Sequence, residues 1–291
     1  MAIEIRTIQQ FYDNIEGTKE LILMNDIECS QEEFHYNINC DINLNNFSIR
    51  HIYLPSASSI KVNGRIYNGY ILGLTENSFN SGRVGANYLF NLGEGGLFED
   101  VTLTATIDSL SLATGSNNLA MFNVEVCSKG NNGFTGCNFE ILFNNVRKDS
   151  GVALINWFGT NENSIIRNSR FKITCPGTKM RDLFREGTNL PRRIEGCLFE
   201  GDYKYFTNAN SKYCSVYYSL FMPKQGGSSY TFVSPGFFHN TSFNYCLYNS
   251  DWAEIKTSGL VGLTDEELKN PYAINAKGKG FVVTEKQERW T

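Results

Sequence analysis

Phe134-Thr-Gly-Cys-Asn-Phe139 is a phrase that the chain repeats. It returns as Ile166-Arg-Asn-Ser-Arg-Phe171, Ile194-Glu-Gly-Cys-Leu-Phe199, Val216-Tyr-Tyr-Ser-Leu-Phe221 and Phe238-His-Asn-Thr-Ser-Phe243, the closing Phe residues standing 32, 28, 22 and 22 positions apart. Recurrence at this length signals stacked supersecondary units that bury their apolar faces against their neighbours. The first apolar residue and the closing Phe have opposite parity, so they cannot share one face of a continuous strand. A turn must lie between them. The third place holds Gly136, Asn168, Gly196 and Asn240, residue types that accept the left-handed backbone at least cost, while Tyr218 departs from the rule.

Each phrase therefore predicts a strand, a one-residue corner, and a second strand whose fourth and sixth places face inward. Phe139, Phe171, Phe199, Phe221 and Phe243 are expected to form one interior file, with Cys137, Ser169, Cys197, Ser219 and Thr241 as a file of small residues beside it. A second short apolar run precedes each phrase: Leu119–Phe122, Ala153–Ile155, Leu183–Phe184, Tyr205–Phe206 and Thr231–Val233. Turn-rich segments separate run from phrase, with no helical stretch between them, which describes a coil of a parallel β-helix rather than a βαβ unit. A leucine-rich repeat is the competing solenoid, but the chain has no Leu-x-x-Leu-x-Leu framework. Looser copies run backward through Phe98–Leu103, Ile66–Ile71 and Ile42–Phe47. That makes about eight coils, a stack close to ~40 Å long at the ~4.8 Å separation of strands.

The 33 Asn residues suit corners, and the 13% aromatic content suits a stacked interior. A net charge of −4 without a basic stripe gives no reason to expect nucleic-acid binding. No apolar run approaches the length of a membrane span, and no charged leader precedes an apolar core, so synthesis in a cytoplasm without a secretion signal is expected. The eight cysteines show no Cys-x-x-Cys spacing, and Cys137 and Cys197 read as small core residues. The three histidines, His35, His51 and His239, are scattered, so no metal site and no cofactor are expected.

The expected organisation is a cap over 1–30, a β-helix over 31–250 and a C-terminal cap over 251–291. Thr7-Ile-Gln-Gln10 is a capping-box pattern opening a helix whose Ile8, Phe11, Tyr12 and Ile15 share one face, with Leu21–Leu23 as the first strand. Such a helix covers the open end of the first coil. Residues 73–90 and 106–118 read as Gly-, Ser- and Asn-rich loops. Thr264-Asp-Glu-Glu-Leu-Lys-Asn-Pro271 reads as a short capped helix expected to close the far end of the stack.

Asp41-Ile-Asn-Leu-Asn-Asn-Phe-Ser-Ile49 resembles the opening coils of many pectate-lyase-like β-helix proteins. With the cap helix and the repeated Gly/Asn-Cys/Ser-x-Phe phrase, it makes residues 1 to about 250 similar to that superfamily, and the Leu263-Thr-Asp-Glu-Glu-Leu-Lys-Asn-Pro271 ending resembles those of phage and bacterial β-helix proteins. The resemblance implies an all-β fold, a right-handed single-stranded parallel β-helix. The superfamily holds lyases and polygalacturonases as well as tailspikes and other bacteriophage tail proteins.

A catalytic site on such a fold should appear as matching outward places in successive coils. Glu200 and Asp202 are the closest carboxylate pair of the kind glycoside hydrolysis needs. The calcium-binding Asp cluster of pectate lyases and the Asp-Asp motif of polygalacturonases are missing from the sequence. Glu140, Lys172 and Glu200 alternate in sign along one outward file, as do Arg167 and Glu195 along another, which suits a charge-balanced surface. Tyr203, Tyr217 and Tyr218 belong to a tyrosine-rich segment that suits surface binding of sugar or protein. The expectation is a structural virion component rather than an enzyme: a tail, tailspike, fibre or baseplate-associated protein. Its expected partners are other tail subunits, further copies of itself in an oligomer such as a homotrimer, and host-surface polysaccharide. A polysaccharide depolymerase is the first alternative and a bacterial surface adhesin the second.

Overall fold

The computed structural model describes residues 2–30, 34, 37–54, 59–79, 86–108, 118–125, 131–145, 152–158, 164–176, 180–184, 193–207, 214–223, 241–251, 258–270, 273–274 and 277. Ile3, Leu21, Ile42, Ile66 and Phe98 stand in parallel register on successive rungs, and the file continues through Phe134, Ile166, Ile194, Val216 and Phe243 to make ten. From Ile42 onward each is the first apolar place of a phrase. The closing place makes a second file through Ile27, Ile49, Ile71, Leu103, Phe139, Phe171, Phe199 and Phe221. Both arms of the phrase belong to one 18-stranded sheet, and the preceding apolar runs form a 7-stranded sheet facing it. The chain is thus an all-β solenoid of parallel strands with a continuous core between the two sheets.

That core is aromatic where the phrases are clearest. Phe139, Phe171, Phe199 and Phe221 are fully buried, and successive ring centroids lie 5.4, 5.3 and 5.4 Å apart. Burying each ring contributes about 1.5–3 kcal/mol, so identical residues on successive rungs reinforce one register. On the facing sheet Phe122 pairs with Ile155 and Ile155 with Phe184, as the apolar runs predict. The Thr231–Val233 run lies outside the described residues.

Corners take the left-handed backbone as expected. Asn68, Asp100 and Asn168 have φ of 59, 51 and 48°, and Gly136 and Gly196 have φ of 65 and 62°. A corner breaks the regular ladder, and two devices restore its hydrogen bonds. The corner N–H donates to the second-place carbonyl of the next rung, as from Asn168 to Glu195 at 2.9 Å. At the fourth place the N–H of Cys137 donates to Ser169 Oγ at 3.1 Å and that of Cys197 to Ser219 Oγ at 3.1 Å. Serine alternates with cysteine here because one hydroxyl satisfies the neighbouring rung's buried donor.

Four expectations need correction. The fifth phrase is Phe243-Asn-Tyr-Cys-Leu-Tyr248, because Phe243 pairs with Val216 and Tyr248 with Phe221. Phe243 still meets the Phe221 ring at 5.8 Å, but it stands in the first-place file, and the closing place belongs to Tyr248. In the early phrase Ile49, not Phe47, pairs with Ile71, since Asn45 and Asn46 both adopt positive φ and lengthen the corner. Residues 73–90 are not all loop: a strand runs to Leu74, a 3-10 turn covers Glu76–Ser78, and another strand begins at Ala86. The first strand is Ile3–Ile5, ahead of the cap helix, paired with Leu21–Leu23.

Helix α1 (Ile8–Asn14) is capped by Thr7, whose hydroxyl accepts the Gln10 N–H, and it buries Phe11 and Tyr12 against Phe34. Helix α2 (Asp265–Leu268) has the predicted capping box between Thr264 and Glu267. Its Leu268, with Ile274 and Leu263, packs on Leu198, Leu220 and Leu247, a cluster separate from the solenoid interior. These three leucines occupy the outward fifth place. Among the described residues α2 therefore packs on the side of the last rungs, where outward leucines need a cover.

Candidate functional site

The outer face of the solenoid is where chemistry would sit, and its ionic groups are engaged with one another. Glu200 accepts from Arg170 at 2.9 Å with 12% of its side chain exposed. Asp202 accepts the backbone N–H of Cys175 at 2.8 Å, and its own N–H donates to the Ile173 carbonyl. The two sequence candidates for acid and base are thus held by an arginine and by a strand end. Lys172 pairs with Glu140 at 2.6 Å, as the alternating charges predict. His51 sits on Glu28, with Nδ1 2.9 Å from a carboxylate oxygen. His35 and His239 lie outside the described residues. Among the described residues no group of three or more His, Cys, Asp or Glu side chains could hold a metal ion.

Of the tyrosines picked from the sequence, Tyr203 is corrected. It is 2% exposed and its hydroxyl donates to the Phe199 carbonyl at 3.0 Å, because after the Gly201 turn the chain enters the facing sheet with Tyr203 pointing inward. Burial pushes its phenol well above the ordinary value. Tyr217 and Tyr218 are half-buried on the outer face. Tyr217 lies under the Arg193 guanidinium, 4.6 Å from ring centroid to Cζ. Tyr218 forms a parallel stack with Tyr245, centroids 5.5 Å apart and planes within 7°.

Tyr245 is absent from the sequence reading, because the fifth phrase was placed five residues too early. It occupies the corner place, as Tyr218 does one rung before. Both have the left-handed backbone, at φ 47 and 56°, where bulky side chains are rare. Holding a tyrosine there costs about 1–2 kcal/mol, and a parallel ring pair returns about 0.5–1.5 kcal/mol of it. Tyr218 also packs against the outer leucine cluster. Tyr245 is 47% exposed.

The rim of this stack is polar. Arg193 grips Glu195 through two hydrogen bonds of 3.0 and 3.1 Å, and Arg167 approaches the same carboxylate at 3.5 Å. The Glu195 contact raises Arg193 above the ordinary arginine value, so the guanidinium is fixed in its charged form. Ser215 and Ser242 share a hydrogen bond of 3.0 Å on adjacent rungs. Corner, second place and the residue before the phrase thus present flat aromatic surface, guanidinium and hydroxyl groups side by side. This is equipment for holding a ligand by ring contact and hydrogen bonding. No family model, curated protein or solved structure matches this chain.

Proposed function

We propose that the chain is a right-handed, single-stranded parallel β-helix that serves as a structural rod in a bacteriophage virion, as a tail, tailspike, fibre or baseplate-associated protein. Right-handed winding is favoured because about 98% of parallel crossover connections take that hand. The observation that carries the reading is the ten-rung parallel ladder whose outward carboxylates, Glu140, Glu195 and Glu200, are each tied to a cation of a neighbouring strand. Outward carboxylates held by cations around an aromatic core make a stiff spacer and leave Glu200 and Asp202 occupied with structure. Solenoids grow by adding rungs without a second core, which suits a rod that must span a distance. The outer face then docks on other tail subunits, on further copies in a trimer, or on the host surface.

Mass spectrometry of purified particles checks this directly, and the chain is expected among their proteins. Its absence from particles, or release of reducing ends or unsaturated uronates from host polysaccharide by the isolated chain, replaces the rod with a depolymerase or a non-viral protein. The Glu200→Gln, Asp202→Asn double variant is expected to keep wild-type host attachment.

A further inference from the structure

We infer that the Tyr218–Tyr245 stack is a binding subsite for an acidic glycan, with Tyr245 as the platform on which a pyranose ring lies. The inference deepens the attachment reading above and rests on it only for the setting of this outer face.

The corner file carries the argument. Gly196 stands one rung before Tyr218, and Gly259 one rung after Tyr245, immediately before the partner of Cys246. Gly259 has φ 84°, and a Cβ there would lie 1.8 Å from the Phe243 carbonyl oxygen, so no side chain can stand at that corner. The stacked pair is therefore bounded by side-chain-free corners. One face of the Tyr245 ring meets Tyr218, and with Gly259 beyond it the residue stays 47% exposed. Each preceding corner is Asn, Asp or Gly, which satisfy the backbone without strain. A bulky residue held in the left-handed region where Asn would suffice is the kind of outlier from which function is inferred. Tyr218 is explained by its contact with the leucine cluster, but Tyr245 gains no such cover.

The choice of ligand follows from the chemistry of the rim. A pyranose presents a flat face of C–H groups to an aromatic ring and hydroxyls at its edge, and the serine hydroxyls and guanidinium groups beside the stack answer that edge. Among the described contacts, Arg167 and Arg193 share the one carboxylate of Glu195, which leaves a surplus of one positive charge. A carboxylate-bearing sugar neutralises it. A protein partner would also favour tyrosine and arginine, so a second copy of the chain is the competing occupant, and the test separates the two.

The test uses the full chain in calorimetric titration with galacturonate, mannuronate and glucuronate tetrasaccharides, and with the neutral maltotetraose as control. The wild type is expected to bind at least one of the acidic chains at least tenfold more tightly than maltotetraose. Tyr245→Asn is expected to weaken that binding at least tenfold without lowering the unfolding midpoint, since Asn suits the corner. Arg193→Gln is expected to reduce the preference for acidic over neutral chains at least threefold. Wild-type chain that binds none of the acidic probes overturns the subsite. So does Tyr245→Asn with wild-type affinity, or loss of oligomer in Tyr245→Asn together with no sugar binding, which assigns the rings to an interface between copies. Presence of the chain in particles is scored separately, so a failed subsite and a failed virion assignment give different results.

Discussion

The corners of the middle rungs and those at Tyr218 and Tyr245 solve the same bend in opposite ways. From Asn68 to Gly196 the bend is made by residues that take positive φ readily, and the outer surface there is small and polar. At Tyr218 and Tyr245 the same bend is forced on tyrosines, and the outer surface becomes aromatic. The interior does not register the change, since the closing file simply passes from Phe221 to Tyr248. Interior files therefore set the register, and outer files are free to carry something other than stability.

The largest effect that sharpens this contrast is in the interior. Phe171→Ala removes a ring that meets Phe139 edge-on and stacks on Phe199, and is expected to cost about 3–5 kcal/mol, read as a fall in the urea midpoint. A loss under about 1 kcal/mol would mean that the inner files do not set register. Next comes Ser169→Ala, which strands the buried Cys137 N–H and is expected to cost about 1–3 kcal/mol. The outer Ser215→Ala serves as its near-neutral control, and equal losses from both would erase the distinction between fourth place and surface. Tyr245→Asn reverses the sign. Relief of left-handed strain outweighs the lost ring pair by about 0.5 kcal/mol, so a small rise in midpoint is expected. Lys172→Gln breaks an exposed pair and is expected to shift stability by less than about 0.5 kcal/mol, an effect that salt removes.

The smallest expected effect is on pH. The Ser48 hydroxyl holds the Asp26 carboxyl below its ordinary 3.8, with the Ser48 N–H and Arg50 adding to it. A carboxyl lowered in the fold contributes stability that is complete above its unfolded value and is lost as pH falls through its folded one. Asp26→Asn should therefore lose that small contribution at pH 7 and flatten the acid limb of the stability profile below about pH 4. An unaltered acid limb would remove Asp26 from the account of early-rung corners.

The sequence carried the architecture because the inner files are chemically repetitive. Phe98, Val101 and Leu103 were placed correctly from spacing alone, since an inward apolar residue leaves a periodic trace. The last phrase was misplaced for a physical reason. Asn240 and Phe243 satisfy the corner-and-closure pattern in the letters, whereas the chain closes with Tyr248 after a tyrosine corner, and propensity gave way to ring contacts. That error also hid Tyr245. The signal that could have found it was Tyr218, which broke the corner rule in plain view and whose partner one rung on should have been sought. Tyr203 was misread because parity cannot be counted through a glycine turn such as Gly201. The leucines at 198, 220 and 247 mark a face that needs a cover, and periodicity alone does not say that α2 supplies it.

The thiols of this solenoid have a consequence beyond structure. Seven of the eight cysteines are described, all buried with free thiols, and burial pushes Cys29, Cys137 and Cys197 up to about 12. Almost none of these sulfurs is ionised at neutral pH, so the folded chain offers alkylating reagents little to attack. Maleimide uptake therefore works as a clock for rung opening, with Cys29 timing one end and Cys246 the other, and no probe has to be engineered.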